Sequence, residues 1–209
     1  MKWIFHGGVP APHRKNTKEQ ETMVMDTPSK VIIPMVQHIG ASCLPTVKKG
    51  DSVKVGQVIG DSEAYVSSPV HSSVSGVVTK VEPMLYASGK MVMSVEIETD
   101  GKQELHEKIK PPVINNKDDF LKAVRDSGLV GLGGAGFPVH VKLNPPKDKV
   151  VDVLVINGAE CEPYITSDYR EMVENPLGII KGIQHVLDML NISKAVIGIE
   201  DNKPEAVKL

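Results

Sequence analysis

Between Val31 and Asp100 the chain alternates short Val- and Ile-rich runs with turn residues. VIIPMVQHIG, SVKVGQVIGD, AYVSSPVHSSVSGVVTKVE and MVMSVEIETDG are broken by segments such as KKGD and ASGK. Short strands at this spacing predict a small all-β sandwich or barrel over residues 31–100. Residues 1–30 hold Pro10, Pro12 and Pro28 and almost no periodicity, which predicts an irregular arm. Residues 101–116, with Pro111, Pro112 and two consecutive Asn, read as a linker. KDDFLKAVRDSG then predicts a short helix. Phe120, Leu121 and Val124 form its apolar face, Asp118 or Asp119 lies in its first turn, and Gly128 suits its C′ position. VVDVLVING predicts a buried strand. NPLGIIKGIQHVLDMLN predicts an amphipathic helix, with Leu177, Ile180, Ile183, Val186, Leu187 and Leu190 at three- and four-residue steps. KAVIGIE predicts another strand. Helix, loop, strand, helix and strand in this order imply an α/β layer over residues 117–209 with at least two parallel strands. Two strands are few for an open sheet, so the α/β part is expected to be a fragment of something longer.

Composition narrows the function classes. The 209 residues fit one domain or two. The 24 Lys and Arg against 26 Asp and Glu give a net charge of −2, without the basic footprint of a nucleic-acid binder. A hydrophobic share of 41% excludes a disordered chain, and 4% aromatics leave the core to Val, Ile, Leu and Met. Cys43 and Cys161 stand far apart and form no CxxC pair, zinc set or disulfide framework. Two lone thiols fit a reducing compartment. No run approaches the ~20 apolar residues of a spanning helix, and the start MKWIFHGGVPAPHRK is too short in apolar residues for a signal peptide. His38 and His71 have no third or fourth ligand at a recognisable spacing, so both are expected to be ordinary polar positions and no metal site is expected.

The stretch VKKGDSVKVGQVIGDSEAYVSSPVHSSVSGVVTKVE resembles the barrel-sandwich fold of biotinyl and lipoyl carrier domains. Such carriers present a Lys amine at a hairpin tip for acylation. Here the corresponding residues are Glu63-Ala64-Tyr65-Val66, and no Lys lies between Lys54 and Lys80. The expected role is packing or docking, not attachment of biotin or lipoate.

Gly131, Gly133, Gly134 and Gly136 satisfy G-x-G-x-x-G, but a dinucleotide fingerprint follows a strand and opens a helix. This loop follows a predicted helix, and the strand comes later. Glycines in such density let backbone approach a ligand with several N–H groups free, and Lys142 could supply a cation for a phosphate. A tight turn built for packing is the alternative. Asn157-Gly158-Ala159-Glu160-Cys161-Glu162-Pro163-Tyr164 follows the apolar strand at the end where open α/β sheets collect ligands. An exposed strand–loop boundary is the alternative there.

GLVGLGGAGFPVHVKL followed by VLVINGAECEPYITSDYR resembles the C subunit of the bacterial Rnf ion-translocating electron-transport complex. HGGVPAP, PMVQHIGASCLPTVKKGD and AVIGIEDNKPEA fit the same family, so the resemblance covers nearly the whole chain. That family is similar to the FMN-bearing, NADH-oxidising subunit of respiratory complex I. The resemblance implies a barrel-sandwich β domain followed by part of a Rossmann-like FMN/NADH-binding α/β domain. It implies that Gly131, Gly133, Gly134 and Gly136 line FMN and the dinucleotide, and that Phe137 lies near the NADH adenine. Lys142 would contact the flavin phosphate region, Asn157 and Glu160 would hold the isoalloxazine or ribityl chain, and Glu162 would sit beside the hydride-transfer site as the catalytic residue. Leu132 stands where the complex I subunit usually has Arg, so this loop is less cationic. Two 4Fe-4S clusters are expected in the family, but their cysteines lie outside this chain, and Cys43 and Cys161 cannot replace them. The implied role is a peripheral NAD(H)-reactive subunit at the cytoplasmic face of the membrane. It would exchange electrons between NAD(H) and ferredoxin and be attached through other Rnf subunits. The rival reading is a docking module with a vestigial flavin pocket, as in the quinone-reductase A subunit of sodium pumps.

Overall fold

The computed structural model describes residues 11–146 and 148–209; HGGVPAP therefore lies mostly outside the described residues, as do residues 1–10 of the arm. The described chain forms two compact units, residues 25–150 and residues 11–24 with 151–209.

In the first unit seven strands form: β1 (Lys30–Pro34), β2 (Leu44–Pro45), β3 (Ser52–Val53), β4 (Val58–Asp61), β5 (Val70–His71), β6 (Gly76–Leu85) and β7 (Met91–Thr99). They make two antiparallel sheets, ordered β1-β7-β6-β3 and β2-β4-β5. Ile33, Met35, Val53, Ile59, Val70, Val78, Val95 and Ile97 fill the core between them. The aliphatic composition thus becomes a β-branched interior, which suits the half-buried pleated surface of strands. The β4–β5 connection carries Glu63, Ala64 and Tyr65, all exposed, with no amine at the place where a carrier is acylated.

Helix α1 (Lys117–Asp126) belongs to the same unit. The Asn116 side chain caps it, accepting from the Asp119 amide at 2.9 Å, and contributes about 1 kcal/mol. Gly128 follows its end at φ +74°. A Cβ there would lie 2.7 Å from the Pro69 carbonyl oxygen, so the residue must be glycine for both reasons. Arg125 donates to Asp61 at 2.7 Å and to the Ser62 carbonyl at 2.8 Å, which pins α1 to the end of β4.

The second unit is a β-α-α-β crossover. Strands β8 (Val153–Gly158) and β9 (Lys194–Ile199) pair in parallel, Val153 opposite Lys194 through Gly158 opposite Ile199. Between them run α3 (Ser167–Glu174) and α4 (Pro176–Leu190). Asn175 caps α4 through its side chain, Pro176 opens it, and Asn191 ends it in the left-handed conformation. Two expectations need correction. The apolar run of β8 is not buried on both faces: Leu154 and Ile156 are half-buried, whereas Val153 and Val155 are exposed, because α4 covers one face of the pair. On α4 itself, Leu177 and Ile180 are exposed and Ile179 turns inward with Ile183, Val186, Leu187 and Leu190. Helix α3 is an element that periodicity does not predict. Its sequence, SDYREMVE, is charged, and its start is made by the carboxylate of Glu160.

Candidate functional site

The glycine loop lies in the first unit. It is closed at its base by an antiparallel bridge between Val130 and Pro138, with the Gly131 amide donating to the Phe137 carbonyl at 2.9 Å. Beyond it Val139–Lys142 forms a single helical turn, α2. The glycines have different duties. Gly136 has φ +65°, and a Cβ there would lie 2.8 Å from the Gln37 carbonyl oxygen, so this glycine serves packing against the 37–39 segment. The Ile39 amide donates to the Ala135 carbonyl at 3.2 Å and fixes the same approach. Gly133 has φ +74°. Gly134 is free of both constraints, since a Cβ there would meet nothing within 4 Å. At Gly131 a Cβ would meet Lys142 Nζ, which therefore sits directly over the loop. Among the described residues the amides of Leu132 to Gly136 make no hydrogen bond of ordinary geometry, and Lys142 has no carboxylate partner. Leu132 is exposed and Phe137 half-buried. Packing thus accounts for Gly136 and leaves Gly134 without a packing duty.

Beneath the loop lies His38, a buried polar position. The Ser68 amide donates to its Nε2 at 3.0 Å, the Ser68 carbonyl lies at the same distance from that nitrogen, and its Nδ1 faces the Ile39 carbonyl at 3.2 Å. The buried Cys43 thiol donates to the Ser68 carbonyl at 3.2 Å, and burial pushes its pKa up. Cys161 is exposed. A maleimide probe on the native protein is accordingly expected to label Cys161 and leave Cys43 unmodified until the fold is denatured; labelling of Cys43 at native rates equal to Cys161 would contradict this placement.

In the second unit, Asn157 and Gly158 end β8 and line an apolar cleft of about 240 Å³ with Ile156, Met172, Ile179 and Ile199. The Asn157 side chain accepts from the Ala159 amide at 3.1 Å, an Asx turn that starts the acidic loop. Glu162 is exposed. Glu160 is 1% exposed, and its carboxylate is fully engaged. Oε1 accepts from the Asp168 amide at 2.7 Å and faces the Ser167 hydroxyl at 3.5 Å. Oε2 lies 3.4 Å from Lys203 Nζ and 3.8 Å from Lys15 Nζ. A carboxylate at the N-terminus of α3 satisfies an orphan amide and the helix dipole, a duty that Thr166, with no side-chain cap, leaves open. Lys203 also pairs with Glu200 at 2.8 Å and holds that carboxyl below its usual range. Burial, then the charge of Glu160, pushes the Asp168 carboxyl up.

The arm completes this loop. Lys15 Nζ donates to the carbonyls of Glu160 (2.8 Å), Glu162 (2.8 Å) and Ile165 (2.5 Å). The Tyr164 amide donates to the His13 carbonyl at 2.8 Å, and the Thr17 and Thr166 hydroxyls share a hydrogen bond of 2.7 Å. Tyr164 has φ +70°, a left-handed conformation that costs a side-chain-bearing residue roughly 1–2 kcal/mol. Nothing in the sequence marks Lys15 or Lys203. A Lys in a polar arm carries no local signal for a partner about 145 positions away, and only the tertiary contact reveals it.

Two family models match the chain. Residues 3–102 match the RnfC barrel sandwich hybrid domain, and residues 124–209 match the Nuo51 FMN-binding domain. Over 98% of its length the chain is 46% identical to the C subunit of the proton-translocating ferredoxin:NAD(+) oxidoreductase complex of Clostridium ljungdahlii, covering 46% of that protein. It is 47% identical to the C subunit of the Na(+)-translocating ferredoxin:NAD(+) oxidoreductase complex of Acetobacterium woodii, over 98% of this chain and 47% of the relative. The C subunit of the ion-translocating oxidoreductase complex of Klebsiella pneumoniae is 38% identical over 99% of the chain and 28% of its own length. The chain spans about half the length of the first two. With a barrel-sandwich match, an FMN-binding match and this degree of identity along nearly every residue, the chain is similar throughout its length to the C subunits of Rnf-type ion-translocating oxidoreductase complexes.

Proposed function

We propose that this chain is the flavin- and nicotinamide-binding part of an Rnf-type C subunit, within a membrane-associated complex that couples electron transfer between NAD(H) and ferredoxin to ion translocation. The observation that carries the reading is the glycine loop: an exposed turn over residues 132–135, an open position at Gly134, and Lys142 Nζ poised over Gly131. Backbone amides and a nearby ammonium form an anion cradle, which fits the phosphate of FMN or of a dinucleotide.

In this reading Gly131, Gly133, Gly134 and Gly136 give the cofactor its backbone contact, and Phe137 lies near the adenine of NADH. Lys142 neutralises phosphate charge. Asn157 borders the isoalloxazine or ribityl chain, and Glu160 contributes through the loop that its carboxylate fixes. Glu162, exposed on that loop, is the residue proposed beside hydride transfer. FMN, when bound, supplies the exchange between two-electron hydride chemistry and one-electron carriers; the chain supplies orientation and charge. The 4Fe-4S clusters of the family would be held outside these residues. Among the described residues no helix is long and apolar enough to cross a membrane, and attachment at the cytoplasmic face is proposed to run through partner subunits.

The test is an FMN titration of the natural full-length chain. Lys142→Ala is expected to weaken FMN or dinucleotide binding by about ten- to a hundredfold, the loss of a charge-assisted contact worth roughly 1.5–3 kcal/mol, with little change in unfolding midpoint. Unchanged affinity, or a loss of stability that matches the loss of binding, would remove Lys142 from the site.

A further inference from the structure

We infer that Lys15 is a positioning residue for the proposed flavin–nicotinamide site and that the 11–24 arm gives the Glu160–Thr166 loop its shape; this rests on the function proposed above. Lys15 presents an ammonium group whose three protons are all accounted for. Its Nζ donates to the carbonyls of Glu160, Glu162 and Ile165, which brackets the loop from both ends and the middle. These carbonyls come from a segment without helix or strand, which has no ladder of its own to satisfy them. The side chain is only 15% exposed, so water replaces it poorly. A second observation is independent of Lys15. Tyr164 holds a left-handed backbone conformation although it is not glycine, and its amide is received by the His13 carbonyl of the same arm. A residue persists in such a conformation when its surroundings over-determine it. Arg14 supplies more of those surroundings, donating to the Tyr164 hydroxyl at 3.3 Å with its guanidinium 6.0 Å from the ring centroid. Further along, the Thr17–Thr166 hydroxyl pair and the Arg170 bond to the Lys18 carbonyl at 3.1 Å carry the same docking onto α3.

The consequence is specific. The backbone of Glu162 is held by a lysine of the arm, while its side chain stays exposed and free to meet a ligand. Losing the arm's grip would let the loop sample other conformations and would reduce the population competent to bind, which lowers apparent affinity by that fraction.

The natural full-length chain is compared as wild type, Lys15→Met and Lys15→Arg. Without ligand, amide hydrogen exchange at residues 160–168 is expected to accelerate at least about tenfold in Lys15→Met, with the β6–β7 amides unchanged. FMN and NADH affinity should fall at least about tenfold. Lys15→Arg should restore part of both, because a cation with several donors returns. Thr17→Val provides a second route to loosening should Lys15→Met fail to fold, and the same acceleration is expected there. Unchanged exchange in a folded Lys15→Met protein overturns the proposal, as does faster exchange with full flavin and NADH affinity. A wild-type chain that binds no flavin overturns the functional reading, and the exchange comparison then still decides whether Lys15 shapes the loop.

Discussion

Glu160→Ala is expected to destabilise the α/β unit by about 3 kcal/mol, the lower part of the range for removing one partner from a buried ion pair. The side chain is almost wholly inaccessible and carries out two duties at once. It gives α3 its N-terminal acceptor through the Asp168 amide, and it is a counter-charge for both Lys203 and Lys15. Lys203 keeps Glu200 and Lys15 keeps its three carbonyls, which moderates the cost. Glu160→Gln retains an oxygen for the cap but not the charge, so its loss should be smaller. Chemical denaturation followed by hydrogen exchange on β8 and β9 would measure both. Full stability in Glu160→Ala, with flavin affinity reduced, would make Glu160 a cofactor ligand instead of an internal brace. The neighbouring Glu200 gives the arrangement a pH dependence. Its folded pKa lies below the ordinary carboxylate value because of Lys203, so its contribution is present at neutral pH and is lost as pH falls through that lowered value.

Gly134→Ala should separate binding from folding in the other unit. A Cβ at this position meets nothing, and the residue does not hold the left-handed conformation found at Gly133 and Gly136. Stability should therefore hold, or rise by about 0.4–1 kcal/mol as the unfolded chain loses freedom. Cofactor affinity should fall at least about tenfold, because the methyl group occupies the space that a close-approaching phosphate or ring would need. Gly136→Ala should behave oppositely in its cause. With φ +65° and the Gln37 carbonyl oxygen 2.8 Å from the new Cβ, it should lose about 1–3 kcal/mol of stability before any question of binding arises. Thermal unfolding beside FMN titration of the two variants gives the comparison. Equal affinity in Gly134→Ala and wild type would show that no ligand approaches the loop there.

Strand texture, helix period and the glycine and acidic loops were legible from residue order alone. Alternating Val-rich runs sufficed for the sandwich, since a period of two with turn residues between has few other solutions. Three- and four-residue steps sufficed for α4, and the end of α1 could be read from Gly128, because caps and C′ glycines are local chemistry. The apolar run of β8 misled on burial: periodicity reports that a segment is apolar, not how many of its faces find a cover. The family resemblance, too, was carried by the order of residues in the two loop sequences.

What tertiary structure decided were the duties of individual side chains. Four glycines look equivalent in sequence, yet Gly136 meets the Gln37 carbonyl and Gly134 meets nothing. Glu160 and Glu162 are two carboxylates two residues apart, yet one is enclosed by two lysines and a helix amide while the other faces solvent. A charged side chain is assigned its role by whatever desolvates it, and here that was an arm about 145 residues earlier and a lysine 43 residues later. Contacts at such separations leave no trace in local propensity or period, because both describe only what a residue's own neighbours along the chain will allow.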